Sequence, residues 1–169
     1  PLSIHCHNDL GLALANTFAA LKAGASCAHV TVNGLGERAG NTPFEELVMA
    51  LEVLYDYRTS VVTSEIYHLS TLVSKLTGVA LPVNKAIVGE MAFTHESGIH
   101  AHGVLREPST YESVKPEQIG RKRRIVLGKH SGSASVGAAL SEMNYKPEEK
   151  QLKEIVKRIK VLGDEGKRI

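Results

Sequence analysis

The chain has 169 residues, 43% of them hydrophobic, enough for one ordinary domain or parts of two and for a buried core. Its 20 basic and 18 acidic residues leave a net charge of +2, so no overall field argues for nucleic acid or a membrane surface as partner, and the run Arg121-Lys122-Arg123-Arg124 reads as a solvated edge. Two cysteines, Cys6 and Cys27, cannot build a disulfide framework, no stretch approaches the roughly 20 apolar residues of a membrane span, and the first residues are no signal peptide, which together point to a reduced, cytoplasmic setting.

The chain opens on Ile4-His5-Cys6-His7-Asn8-Asp9, and without an initiating methionine it reads as cut from something larger. Strand alternation sends residues i and i+2 to one side, so His5 and His7 point together while Ile4 and Cys6 face away. Two imidazoles converging at a strand end are half of a metal site, or else ordinary polar residues of a strand-to-helix loop; the pair alone leaves both open. Leu10, Leu14, Phe18 and Leu21 recur at helical spacing, with Asn8 or Asp9 as N-cap and Gly24 just past the end, predicting a helix over 10–23. Residues 27–32 are small and β-branched, as in a strand buried on both faces, which makes the first 32 residues a βαβ unit with parallel strands.

The second strand runs into Asn33-Gly34-Leu35-Gly36-Glu37-Arg38-Ala39-Gly40-Asn41. Beyond this loop Thr42 as N-cap, Pro43 at the first position and Glu45 as the capping-box partner predict a new helix, with a buried stripe of Phe44, Leu47, Val48, Leu51 and Leu54. Both loops then follow carboxyl ends of parallel strands, where ligands bind in α/β folds. A further helix is predicted over 64–77, ending at Gly78. Residues 79–85 contain Pro82 and read as an extended linker.

Residues 93–112 crowd three histidines, two glycines and a tyrosine into a weakly apolar stretch, a poor core and a candidate site. A short strand is expected at 124–127 and two helices at 133–143 and 147–162.

The glycine loop fits the relaxed dinucleotide fingerprint, with Asp56 about 20 residues on. Against that reading, the next helix starts too late for its N-terminus to meet a pyrophosphate, and Glu37 would set a carboxylate against the anion. His5, His7 and Asn41 instead lie together at two strand ends, an incomplete shell for a divalent ion acting as a Lewis acid.

His-x-His-Asn-Asp, Asn-Gly-x-Gly-Glu-Arg-Ala-Gly-Asn, Thr-His-Glu-Ser-Gly-Ile-His and Leu-Gly-Lys-His-Ser-Gly, in that order, resemble the Claisen-condensing acyltransferases of the 2-isopropylmalate, homocitrate and citramalate synthase family. The resemblance implies that the chain holds the last two units of a (β/α)8 barrel (residues 1–58), a helix and linker (59–92) and the start of a helical subdomain (93–169). It implies a divalent ion, manganese, magnesium or zinc, held by His5, His7 and Asn41 with an aspartate of the first barrel strand, a strand absent here. Glu37 and Asn8 are expected near substrate or ligands. The substrates implied are acetyl-CoA and a 2-oxo acid. His100 and Tyr111 are implied to act on protons and the oxyanion from the partner subunit of a homodimer with exchanged subdomains. His95 and His102 are read as structural neighbours. Within the family His7-Asn8-Asp9 leans toward 2-isopropylmalate synthase and leucine biosynthesis, with homocitrate and citramalate synthases as near alternatives and a non-catalytic binding module as the alternative of another class. The isolated chain is expected to self-associate and to be inactive.

Overall fold

The computed structural model describes residues 1–95, 113–122 and 124–167. Its chain divides into two compact units, Pro1–Ala92 with Pro116–Arg121, and Phe93–Lys115 with Lys122–Ile169. It is an α/β protein with two small parallel sheets and five α-helices among the described residues. None of those helices is long and apolar enough to cross a membrane.

In the first unit, β1 (Ser3–His5) and β2 (Cys27–His29) pair in parallel, Ser3 opposite Cys27 and His5 opposite His29, with α1 (Ala13–Lys22) as the crossover. The βαβ expectation holds, with both strands shorter than their apolar runs. Helix α1 starts later than the spacing predicts because residues 9–12 form a turn, closed by the Gly11 N–H on the Asn8 carbonyl at 2.9 Å, and Leu10 is left 86% exposed. Its buried face is Ala13 and Thr17, not the predicted leucine stripe. Small residues let α1 approach closely, and the Thr17 hydroxyl pairs with the Thr42 hydroxyl at 2.8 Å.

Helix α2 (Phe44–Tyr55) buries Glu45, Leu47, Val48 and Met49, while Leu54, expected inside, is 70% exposed. The expected capping box does not form: Pro43 is the N-cap and no side chain caps the helix. Thr42 is turned inward to Thr17, and Glu45 is drawn to a donor outside the helix. Asp56 ends α2 in the left-handed region (φ 49°), which accounts for it without a nucleotide. A 3₁₀ turn at Thr63–Glu65 leads into α3 (Ile66–Thr77), ended by left-handed Gly78 as the sequence predicts. Residues 79–82 have no regular secondary structure, and a turn follows in which the Lys85 N–H meets the Pro82 carbonyl and the Met91 N–H reaches the Val83 carbonyl at 2.8 Å.

Arg121 is no solvated edge. Its guanidinium donates to the Gly89 and Glu90 carbonyls and lies 4.7 Å from the Tyr67 ring centroid, so its flat cation is held by carbonyl dipoles on one side and a π-face on the other. Lys122 is exposed as expected.

The second unit pairs β3 (Thr94–His95) with β4 (Arg124–Ile125) in parallel and packs α4 (Ser133–Glu142) on α5 (Glu149–Asp164). Helix α5 opens on a capping box between Glu148 and Gln151, one residue beyond the proline expected to start it. Apolar Leu152, Ile155, Val156 and Ile159 recur along one face of α5, with Ile159 7% exposed. A side chain at Gly163 would collide with the Lys129 backbone, so the Gly128–Gly132 turn packs directly on that helix.

Ile66 is 2% exposed at the head of α3. Ile66→Ala is expected to lower the unfolding free energy by roughly 2–5 kcal/mol, from lost transfer energy and the cavity left behind. Denaturant titration checks this; a loss under about 1 kcal/mol would mean the site collapses freely and is not core.

Candidate metal centre

Strand geometry delivers what the alternation of His5 and His7 promised. Both rings stand at the carboxyl end of β1, centroids 5.0 Å apart and nearly perpendicular. The end of the glycine loop comes back against them, since His7 and Asn41 form an antiparallel bridge and the Asn8 N–H donates to the Gly40 carbonyl at 2.9 Å. Asn41 is 5% exposed. Its Nδ2 lies 3.2 Å from His5 Nε2, 3.2 Å from His7 Nδ1 and 3.3 Å from the Cys6 carbonyl oxygen.

That convergence has a chemical meaning. An amide nitrogen carries two protons, yet three acceptors face it, and both imidazoles must present a bare lone pair to be among them. A point ringed by lone pairs suits a cation better than an NH₂ group, and turning the carboxamide over sets its oxygen at the same place. Two imidazoles and one carboxamide are a donor set for a borderline divalent ion. The residues present therefore fit a metal, although among the described residues no cluster of three or more His, Cys, Asp or Glu is placed to hold one.

Glycine is required in two places. A side chain at Gly36 would run into Asn41 Oδ1, and one at Gly40, whose φ is 88°, would run into the Gly34 carbonyl. The loop can fold this tightly over Asn41 only because those positions have no Cβ. Its rim is closed by Arg38, whose Nε and second guanidinium nitrogen donate to the two Asp9 oxygens at 2.8 and 2.9 Å.

Of the other expected site residues, Asn8 has its side chain engaged at the entry of α1, its Oδ1 accepting from the Ala13 N–H at 3.2 Å. Glu37 is exposed on the loop, and only its backbone is engaged, the carbonyl accepting from Gly40 N–H at 2.9 Å. The backbone of His95 lies in β3; His100, His102 and Tyr111 lie outside the described residues.

Sequence reasoning missed two neighbours. His29, the register partner of His5, is exposed with its ring centroid 6.0 Å from that of His5. Glu45, read as a helix cap, is the buried acceptor that holds the start of the glycine loop, its Oε2 taking the Asn33 N–H at 2.9 Å. The isolated Lys85 among apolar residues was the available signal, since a lone cation in such a stretch asks for a buried anion.

Residues 1–73 match the HMGL-like family, and residues 87–167 match the family described as homocitrate synthase post-HMGL domain-like. A protein of Methanoculleus marisnigri named "Putative (R)-citramalate synthase CimA" is 72% identical over the whole chain, which covers 34% of that protein. One of the same name from Methanosarcina acetivorans is 59% identical over the whole chain, covering 35% of it, and the 2-isopropylmalate synthase of Methanocaldococcus jannaschii is 54% identical, again over the whole chain and 33% of its own length. The chain thus joins an HMGL-like segment to a homocitrate synthase post-HMGL domain-like one, and over its whole length it is similar to proteins named citramalate synthase and 2-isopropylmalate synthase. It spans about a third of the length of these curated relatives.

The Asp9–Arg38 pair sets a pH dependence. The hydrogen bond and charge of Arg38 hold the Asp9 carboxyl below its ordinary value of 3.8. A depressed carboxyl pKa means that the pair's contribution is present above the unfolded value and lost as pH falls through the folded one, below pH 3.8. Both groups are exposed, so the effect is small and screened by salt. Arg38→Ala should raise the Asp9 pKa in a carboxyl-detected NMR titration; an unchanged value would separate the two loops electrostatically.

Proposed function

We propose that this chain is the carboxyl-terminal part of the barrel and the adjoining helical segment of a metal-dependent synthase that condenses acetyl-CoA with a 2-oxo acid. The observation that carries the proposal is the convergence of His5 Nε2, His7 Nδ1 and the Asn41 carboxamide at two parallel strand ends. The similarity to these synthases supports the reaction class. Both edges of the two-stranded β1–β2 sheet, with Leu10, Leu54 and Leu76 exposed, fit a sheet that other strands continue.

In this reading a divalent ion supplies Lewis acidity toward the 2-oxo acid. His5 and His7 hold it through neutral ring nitrogens, and Asn41 through its amide oxygen. Gly36 leaves Asn41 room to turn, and Arg38 with Asp9 keeps the loop rim closed. His100 moves the proton at the acetyl methyl group, a task for a side chain titrating near neutrality, and the Tyr111 hydroxyl hydrogen-bonds the thioester oxyanion. These two roles, and their delivery across a homodimer, rest on the resemblance of residues 93–112 to the family's segment.

Two products are in view. 2-Isopropylmalate, from 3-methyl-2-oxobutanoate, is favoured by His7-Asn8-Asp9, whereas the names of the relatives at 58–72% identity favour (R)-citramalate, whose skeleton is an acetyl unit joined to a three-carbon 2-oxo acid. Incubating the full-length protein with acetyl-CoA and each 2-oxo acid, and identifying the product by mass spectrometry, decides between them. Release of CoA with neither acid, nor with the 2-oxo acid of the homocitrate alternative, would overturn the reaction class.

The metal has its own test. His5→Ala and His7→Ala in the full-length protein should each reduce bound divalent metal and abolish turnover, because loss of one imidazole weakens both affinity and geometry. Full metal content and full activity in both variants, by elemental analysis and CoA-release assay, would remove the site.

A further inference from the structure

We infer that Glu45 is a positioning residue: its buried carboxylate sets the conformation of the loop that presents Asn41, and through that loop the affinity of the His5, His7 and Asn41 site for a divalent cation. The inference rests on the metal reading above and adds a residue that neither the motifs nor the family matches single out.

Glu45 lies in the first turn of α2, where the helix dipole favours an anion, and is 1% exposed. A carboxylate that deep needs partners. Its Oε2 accepts the Asn33 N–H at 2.9 Å. Its Oε1 makes no hydrogen bond but faces Lys85 Nζ at 3.2 Å, an ion pair without hydrogen-bond alignment, while that ammonium donates to Glu46 Oε1 at 2.8 Å. Burial pushes Lys85 toward losing its proton; Glu46 and Glu45 outweigh that and leave its pKa raised, so the ammonium keeps its charge.

Asn33 is where the carboxylate acts. Its φ is 62°, a left-handed backbone uncommon for a non-glycine residue, which asparagine adopts more readily than most and which its surroundings here hold in place. The enforcement is complete: the N–H is fixed by Glu45, the side-chain Nδ2 donates to the Ser70 carbonyl at 3.0 Å, and the buried Ser70 hydroxyl donates to Asn33 Oδ1 at 2.5 Å. The next residue transmits the result, since the Gly34 carbonyl accepts the Asn41 N–H at 3.0 Å. A continuous hydrogen-bonded path thus runs from Glu45 through the Asn33–Gly34 turn to the residue whose carboxamide stands between His5 and His7.

A purely stabilising ion pair would behave differently. Buried pairs are often replaced by apolar residues at no net loss of stability, whereas a loop anchor requires an acceptor oxygen whether or not it is charged. Glutamine keeps that oxygen and leucine does not.

The test measures Mn²⁺ affinity by calorimetry on the full-length protein, with thermal stability of each metal-free form recorded in parallel. Glu45→Leu should weaken Mn²⁺ binding by about 10–100-fold, the range for outer partners of metal ligands, and Glu45→Gln by no more than about threefold. Lys85→Met should lower thermal stability yet leave affinity within the same threefold. Hydrogen exchange at the Asn33 and Asn41 amides should quicken in the leucine variant alone. Equal affinity losses in the Gln and Leu variants, or wild-type binding in Glu45→Leu, would overturn the inference. If Glu45→Leu fails to fold, Glu45→Asp keeps the charge but draws the acceptor oxygen back from the Asn33 N–H; weakened Mn²⁺ binding supports the path and wild-type binding breaks it. His5→Ala serves as reference: if it binds Mn²⁺ like wild type, the metal site itself is wrong and the inference falls with it, whereas lost binding there with intact binding in Glu45→Leu overturns Glu45 alone.

Discussion

Asn41 is a buried amide, and a buried donor without an acceptor costs about 1–3 kcal/mol, comparable to a large share of a domain's stability. The chain meets that demand with His5, His7 and the Cys6 carbonyl, all in one short segment at the end of β1. The same three contacts join the two loops and close the Asn33–Asn41 loop over glycines that leave room for it. One satisfied side chain therefore organises both the local fold and the donor set.

The interactions around the loop differ in what they can do. The Arg38–Asp9 fork is well aligned but exposed, so solvent and salt limit it to steering the rim. The contacts of Asn33 with the buried Glu45 and Ser70 are more enclosed, and there each hydrogen bond to a charged or enclosed partner counts for more. Affinity for a cation depends on holding ligands within a fraction of an ångström, which is why the proposed role of Glu45 is a positioning one.

The second unit uses different physics. Amphipathic α5 packs on α4, and the absence of a side chain at Gly163 lets the Gly128–Gly132 turn lie against the helix backbone. Among its described residues no charged side chain is buried, and α5 opens on a capping box at Glu148.

How much of this could be read from the chain divides along the range of the forces involved. Period-two alternation put His5 and His7 on one side, period 3.6 found all five helices, and Gly78 marked the end of α3; these follow from backbone geometry, which each residue carries with it. The motif order named the family that the matches support. The choice among partners was not local. Thr42 and Glu45 have the spacing of a capping box, but Thr17 and Asn33, brought near only by folding, offered buried hydrogen bonds that a cap exposed to water could not match. Arg121 looked like one charge in a solvated run until the carbonyls of Gly89 and Glu90 and the ring of Tyr67 met it. The sequence by itself determined which elements form and which donors stand at the strand ends. Tertiary structure decided which polar groups are shut away from water, and desolvation, a property of the packed surroundings, then dictated which of them had to pair.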